Sequence, residues 1–152
     1  ARHLMVAKVR GRFTEVSGTV EVGETLAETS VRAVASAASV STNQADRDGH
    51  LRSADFFDVE TYPELTFVST SVSSDSMIGD LTIKGVTRSV TFDLEFDGVQ
   101  ADPWGNTKAG FTATTAINRS DWGLTWNAAI EGGGVLVSDK IAITLEIELL
   151  KG

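Results

Sequence analysis

Residues 90–97 read Val90-Thr91-Phe92-Asp93-Leu94-Glu95-Phe96-Asp97, four large apolar side chains alternating with four polar ones. Period two is the repeat of a strand whose successive side chains point to opposite faces, so the stretch predicts a strand with one face buried and one in water. The C-terminal run repeats it: Ile141, Ile143, Leu145, Ile147 and Leu149 fall on one face, with Thr144, Glu146 and Glu148 on the other. Working outward, similar strands are expected near residues 8–22, 29–40, 64–72, 78–84 and 107–117, about seven in all. Helical signal is confined to a short helix within Asn43 to Phe57 and a turn near Arg119 to Leu124, each bounded by Asp, Asn, Ser or Gly. Gly85, and the run from Gly98 through Pro103 to Gly105, read as hairpin connections, which makes neighbouring strands antiparallel. Strands of about ten residues span roughly 33 Å, natural for tilted strands in a barrel. The expected fold is all-β: one antiparallel β-barrel domain over residues 1–152, with one or two short helices.

The chain carries 13 Lys plus Arg against 21 Asp plus Glu, a formal net charge of −8, and no Cys among its 152 residues. Thiolate zinc sites, iron–sulfur clusters, thiol catalysis and disulfide scaffolds are therefore excluded. The acidic balance disfavours a nucleic-acid partner, because phosphate binding draws on an excess of Lys and Arg. No apolar run approaches the ~20 residues of a membrane helix, so no integral membrane segment is expected. What fills the barrel decides whether it is solid or a container. Val31, Ala33, Ala35 and Ala37, and Ala113, Thr115 and Ile117 after Phe111, present small side chains along one face. Opposite a large-residue strand they could complete a tight core, or they could leave room for one ligand.

Several unusual strings stand in order: Arg2-His3-Leu4-Met5-Val6, Val9-Arg10-Gly11-Arg12-Phe13, Asp46-Arg47-Asp48-Gly49-His50-Leu51-Arg52-Ser53 running into Asp55-Phe56-Phe57-Asp58, Gly79-Asp80-Leu81-Thr82-Ile83-Lys84-Gly85-Val86-Thr87-Arg88, and Ile117-Asn118-Arg119-Ser120-Asp121-Trp122-Gly123-Leu124-Thr125-Trp126-Asn127. Together they resemble the YceI-like family over essentially the whole chain. The resemblance implies a lipocalin-like barrel of eight antiparallel strands that binds, stores or transports a polyisoprenoid, an isoprenoid quinone or another long-chain amphiphile, with no cofactor beyond that ligand. Against the family, about seven strands are visible and Ala1 stands directly before the Arg-His-Leu string. A first strand is therefore expected upstream, along with any signal peptide, or from another chain, as a homodimer would supply it. Periplasmic, secreted and cytoplasmic locations all stay open. The stretch Ser69 to Ile78 is also shorter than the family's usual hairpin, which points to a trimmed loop near Ser74.

A long apolar chain can be held by shape, since each buried CH₂ contributes about 0.8 kcal/mol. The candidate wall residues are Phe13, Phe67, Leu81, Ile83, Phe92, Leu94, Phe96, Phe111 and Trp126. Each is equally explained as ordinary core. Arg2, His3, Arg10 and Arg12 form the one basic concentration, and His3 and Arg12 are the candidates for a mouth that accepts a headgroup through charge-assisted hydrogen bonds. The apolar parity changes near Phe13 to Val16, with Gly18 as a candidate bulge.

Gln44, Asp46, Asp48, Gly49 and Asp55 fall at EF-hand-like spacing, but the first ligand position is neutral and the last is an Asp too short for bidentate reach. With only His3 and His50 as imidazoles, zinc lacks a ligand motif too, so no metal is expected. An enzyme acting on an isoprenoid-type substrate would use His3 or His50 with Asp55 or Asp121, a pairing that spacing alone does not place within reach, and no catalytic residue is assigned. Gly132-Gly133-Gly134 before Val135-Leu136-Val137 lacks the strand-to-helix setting of a phosphate loop. A surface interaction module, resting on the Asn118-Arg119-Ser120 sequon, is a third reading. Trp104, Trp122 and Trp126 are expected to plug barrel ends.

Overall fold

The structure is a computed structural model that describes residues 2–3, 7–101, 103–105, 107–127 and 138–151. Alternating sequence becomes strand throughout: β1 (Arg2–His3), β2 (Ala7–Lys8), β3 (Arg12–Phe13), β4 (Val16–Glu21), β5 (Ser30–Ser36), β6 (Val40–Ser41), β7 (Glu64–Val72), β8 (Ser76–Ile83), β9 (Val86–Ala101), β10 (Thr107–Asn118) and β11 (Lys140–Lys151). Among the described residues one α-helix, α1 (Ala45–Arg52), stands between β6 and β7. Seven strands form one antiparallel sheet in the order β11-β10-β9-β8-β7-β5-β4, curled into a half-barrel. Among the described residues no strand bridges β4 to β11, and no helix is long and apolar enough to cross a membrane. Two small antiparallel pairs, β1 with β2 and β3 with β6, complete the described ladders.

Side-chain size explains the close register. Ala33 on β5 lies opposite Phe67 on β7, which lies opposite Leu81 on β8. The Phe67 ring leans across Gly79 and meets Phe92 edge-on, with centroids 5.3 Å apart. A methyl group at position 79 would come within 2.6 Å of the Val68 carbonyl oxygen as well as overlapping that ring. The glycine is thus the small partner that lets a large ring lie flat on the sheet. Lys84 and Gly85 both take positive φ, 51° and 75°, the pattern of a tight two-residue hairpin between β8 and β9.

Three sequence expectations need correction. The long strands expected over 8–22 and 29–40 are each broken in two, because β3 pairs with β6 whereas β4 pairs with β5. That change of partner accounts for the parity change near Val16, and Gly18 sits in regular register opposite Ala33 rather than in a bulge. The irregularities fall instead at Thr70 on β7 and at Asp97 on β9. Gly98 is likewise inside β9, at φ 126°, so the β9–β10 connection begins only after Ala101. The Gly132 to Val137 stretch lies outside the described residues.

Helix α1 is held less by an apolar stripe than by polar clasps. The Gln44 side chain caps it by accepting from the Arg47 backbone N–H. Asp46 and Asp48 lie in the first turn and His50 and Arg52 in the last, matching the helix dipole. Asp48 is buried and accepts from both the N–H of Thr42 (2.8 Å) and its hydroxyl (2.5 Å). Arg52 donates to the carbonyls of Ala38 and Val40, tying α1 to the β5–β6 connection.

Candidate functional site

The inner face of the half-barrel is the surface on which a ligand could lie, and register assigns its residues. Val31 and Ala33 on β5, Phe67 on β7, Leu81 on β8, Phe92 and Leu94 on β9, Ala113 on β10 and Leu145 on β11 all belong to the apolar cluster on that face. One end of it is plugged. The chain leaving α1 brings Phe56 into the core, and the turn at Arg119–Trp122 carries Trp122 in beside it, 3% exposed. The Trp122 indole N–H donates to the Leu81 carbonyl at 2.9 Å, which satisfies the one polar atom of the plug. Leu124 is buried next to it, and Trp126 packs at the same end against Phe56, 5.5 Å between centroids.

Arg119 fixes this plug. It is 6% exposed, and its guanidinium donates to the carbonyls of Leu124 (2.6 Å), Trp126 (2.9 Å) and Ser138 (2.9 Å) while lying over the Phe56 ring. Burial pushes its pKa below the ordinary arginine value, with Asp139 pulling the other way. At the rim, Ser120 holds both carboxylate oxygens of Asp139, and Arg88 donates to the Asp121 carbonyl at 2.6 Å.

Among the described residues the opposite end is open. Strand β8 begins at Ser76, opposite Asp93, so β9 rises beyond it from Glu95 to Ala101 paired with β10. Along the inner face of β9 exposure grows from 1% at Phe92 to 55% at Phe96 and 59% at Val99. Phe96 meets Phe111 across the β9–β10 ladder, with centroids 5.1 Å apart. A row of apolar side chains therefore leaves the core and runs into solvent on the concave side, the reverse of what a surface strand ordinarily presents.

The nine wall candidates divide along this axis. Phe67, Leu81, Ile83 and Phe92 are packed core, Leu94 is half-buried, and Phe96 with Phe111 stands at the open end. Phe13 lies apart from the sheet, on β3, against Phe57 at the plugged end. Arg12 is exposed beside it, and the His3 side chain lies outside what the structure describes. Sequence spacing did not join His50 to a carboxylate, but the fold does: His50 Nε2 stands 2.8 Å from Asp55 Oδ2, with the Phe56 and Trp126 rings edge-on to the imidazole at 5.0 and 4.6 Å. Of the residues at EF-hand-like spacing, Gln44 caps α1, Asp46 and Asp48 lie in its first turn with Asp48 turned back onto Thr42, and Asp55 faces His50; no cluster suited to a metal occurs among the described residues. The structure also shows clefts that sequence did not suggest. Below Thr114 and Asp93, β9 and β10 splay around a cleft of about 340 Å³ reaching Trp122, and another of about 320 Å³ lies near Val16 and Val34.

Comparison with known proteins supplies the remaining context. Residues 1–149 match the YceI-like domain family. A UPF0312 protein of Staphylococcus aureus strain MSSA476 is 39% identical over 150 residues, covering 97% of this chain and 87% of its own. A UPF0312 protein of Staphylococcus epidermidis matches at the same identity and coverage. Among solved structures, the YCEI protein of Campylobacter jejuni superposes with a TM-score of 0.83 at 31% identity, over all of this chain and 90% of that one. BcnA of Burkholderia cenocepacia, at 23% identity and a TM-score of 0.77 over 95% of this chain and 90% of its own, shares the fold.

Proposed function

The chain belongs to the YceI-like domain family, and from that premise we propose that it binds and carries a long-chain apolar lipid, a polyisoprenoid or isoprenoid quinone, on the inner face of its sheet without chemical turnover. The observation that carries this reading is the apolar row that leaves the core after Phe92 and is exposed at Phe96 and Val99 on the concave side, with the far end plugged by Phe56, Trp122 and Leu124. A blind, apolar trough favours a ligand that enters tail first. Ten methylenes taken out of water contribute about 8 kcal/mol, within the ~4–15 kcal/mol that association costs in lost freedom. Each further isoprene unit adds surplus, so the reading favours long chains over short ones. The polar head is left at the open end near Phe96 and Phe111, away from Arg12.

Native mass spectrometry of the purified protein, with organic extraction of what co-purifies, tests it. A stoichiometric C30-to-C50 lipid recovered unchanged supports the proposal. A protein that is consistently empty and ignores added polyprenols overturns it. The His50–Asp55 pair gives the enzyme alternative a definite form: chemical conversion of a supplied isoprenoid that disappears in His50→Ala would overturn binding without turnover.

A further inference from the structure

The three strands that overshoot the half-barrel form an arm with two unlike faces. Its inner face carries, by register, Phe96 with Phe111 and Ile147, then Val99 with Ala109. Its outer face carries Glu95 opposite Thr112, itself opposite Glu146, then Glu148, which pairs with Lys108 at 3.1 Å. Asp97, the extra residue of the bulge, accepts from Thr112 on this same side. At the turn stands Trp104, 83% exposed and the most exposed of the large hydrophobic side chains among the described residues. Tryptophan at the end of a projecting hairpin has the amphipathic ring that settles at the headgroup level of a bilayer.

We propose that this arm, through Val99 and Trp104, docks the protein on the surface of an electrically neutral lipid bilayer. Three features select that partner. The apolar row of the arm is continuous with the inner face of the half-barrel, so an arm seated in the interface leads straight into the trough. The acidic residues are segregated to the other face, which lets the arm enter one way only. The sign of that face, together with a net charge of −8, opposes approach to an anionic surface, where juxtamembrane binding draws on Lys and Arg. Docking as such needs no ligand. Its use, collecting or delivering a lipid without passing it through water, rests on the binding reading above.

The test uses the full chain and two kinds of vesicle, pure phosphatidylcholine and pure phosphatidylglycerol. The protein is expected to float with phosphatidylcholine vesicles, with tryptophan emission shifted to shorter wavelength, and to bind phosphatidylglycerol less. The double variant V99S/W104S is expected to lose about tenfold or more of the partitioning, equivalent to about 1.4 kcal/mol, with an unchanged melting temperature. No flotation of the wild type, equal flotation of the double variant, or preference for phosphatidylglycerol would each overturn docking by this arm. Loss of self-association in the double variant with flotation intact would overturn it too, in favour of a second copy as the occupant. Binding of a dispersed polyprenol without vesicles is measured in parallel. Its failure counts against the carrier reading, whereas failure of flotation alone counts against the arm.

Discussion

At the scale of single residues, Gly79 and Asp48 show how small chemical facts set the fold. Gly79 is the position over which the Phe67 ring lies, and a methyl there meets both that ring and the Val68 carbonyl. Gly79→Ala is expected to cost about 1–3 kcal/mol by overpacking, or a fall of roughly 2–12 °C in melting temperature for a chain of this size. Phe67→Leu, which clears the ring, should recover only part of it, since the backbone oxygen stays where it is. Asp48 works through hydrogen bonds. The Thr42 hydroxyl, more than any nearby cation, holds its carboxyl below the ordinary value of 3.8, with burial opposing and the Thr42 N–H, Arg52 and Arg47 assisting. A depressed carboxyl stabilises the fold above the unfolded pKa and loses that contribution as pH falls through the folded one. Asp48→Asn is therefore expected to be less stable than wild type at neutral pH, with the difference shrinking below about pH 4. Urea melts at pH 7 and pH 3 measure it. Neither role was legible in sequence. Gly79 read as part of a motif, and Asp48 read as one of several carboxylates in an acidic run, because which one turns inward depends on where Thr42 sits.

At the scale of elements, sequence carried the strands better than their ends. Alternation over 90–96 and 141–149 marked β9 and β11, since one buried face enforces period two. It could not show that β9 continues to Ala101, because the Asp97 bulge shifts the alternation by one residue and the exposed Val99 beyond it has no core to face. Breaks were the other loss: β3 and β4 read as one strand because pairing partners are not local information. The Arg119–Trp122 turn was located correctly, yet the burial of its arginine was not, because a buried cation is the exception that sequence rules discount. Arg119→Met keeps the length of the side chain and removes the donors, leaving the Leu124, Trp126 and Ser138 carbonyls without them. The Leu124 contact is buried and the other two are half-buried; at about 1–3 kcal/mol per unsatisfied buried acceptor, a total loss of about 3 kcal/mol or more is expected. The change should also loosen the plug, read as a red shift in tryptophan emission at temperatures below unfolding. An unchanged emission spectrum with lowered stability would place the role of Arg119 outside the plug.

At the scale of the whole molecule, the same apolar row does two jobs, and exposure separates them. Phe92 and Phe96 belong to one face of one strand, four residues apart, yet one is 1% exposed and the other 55%. Phe92→Ala is expected to cost about 3–5 kcal/mol, the usual penalty for emptying a core aromatic site. Phe96→Ser removes a ring that already faces water, and its effect on stability should stay within about 0.5 kcal/mol. Binding should follow a different order. If a long lipid lies along the trough, Phe96 becomes covered in the complex, and Phe96→Ser should weaken a C45 or C50 polyprenol by about tenfold or more. A chain short enough to lie wholly within the plugged half should be affected much less. The comparison needs only thermal melts and a fluorescence titration with two chain lengths. Equal loss for long and short ligands would mean that the open end selects nothing, and no loss for either would take the exposed part of the row out of the binding surface.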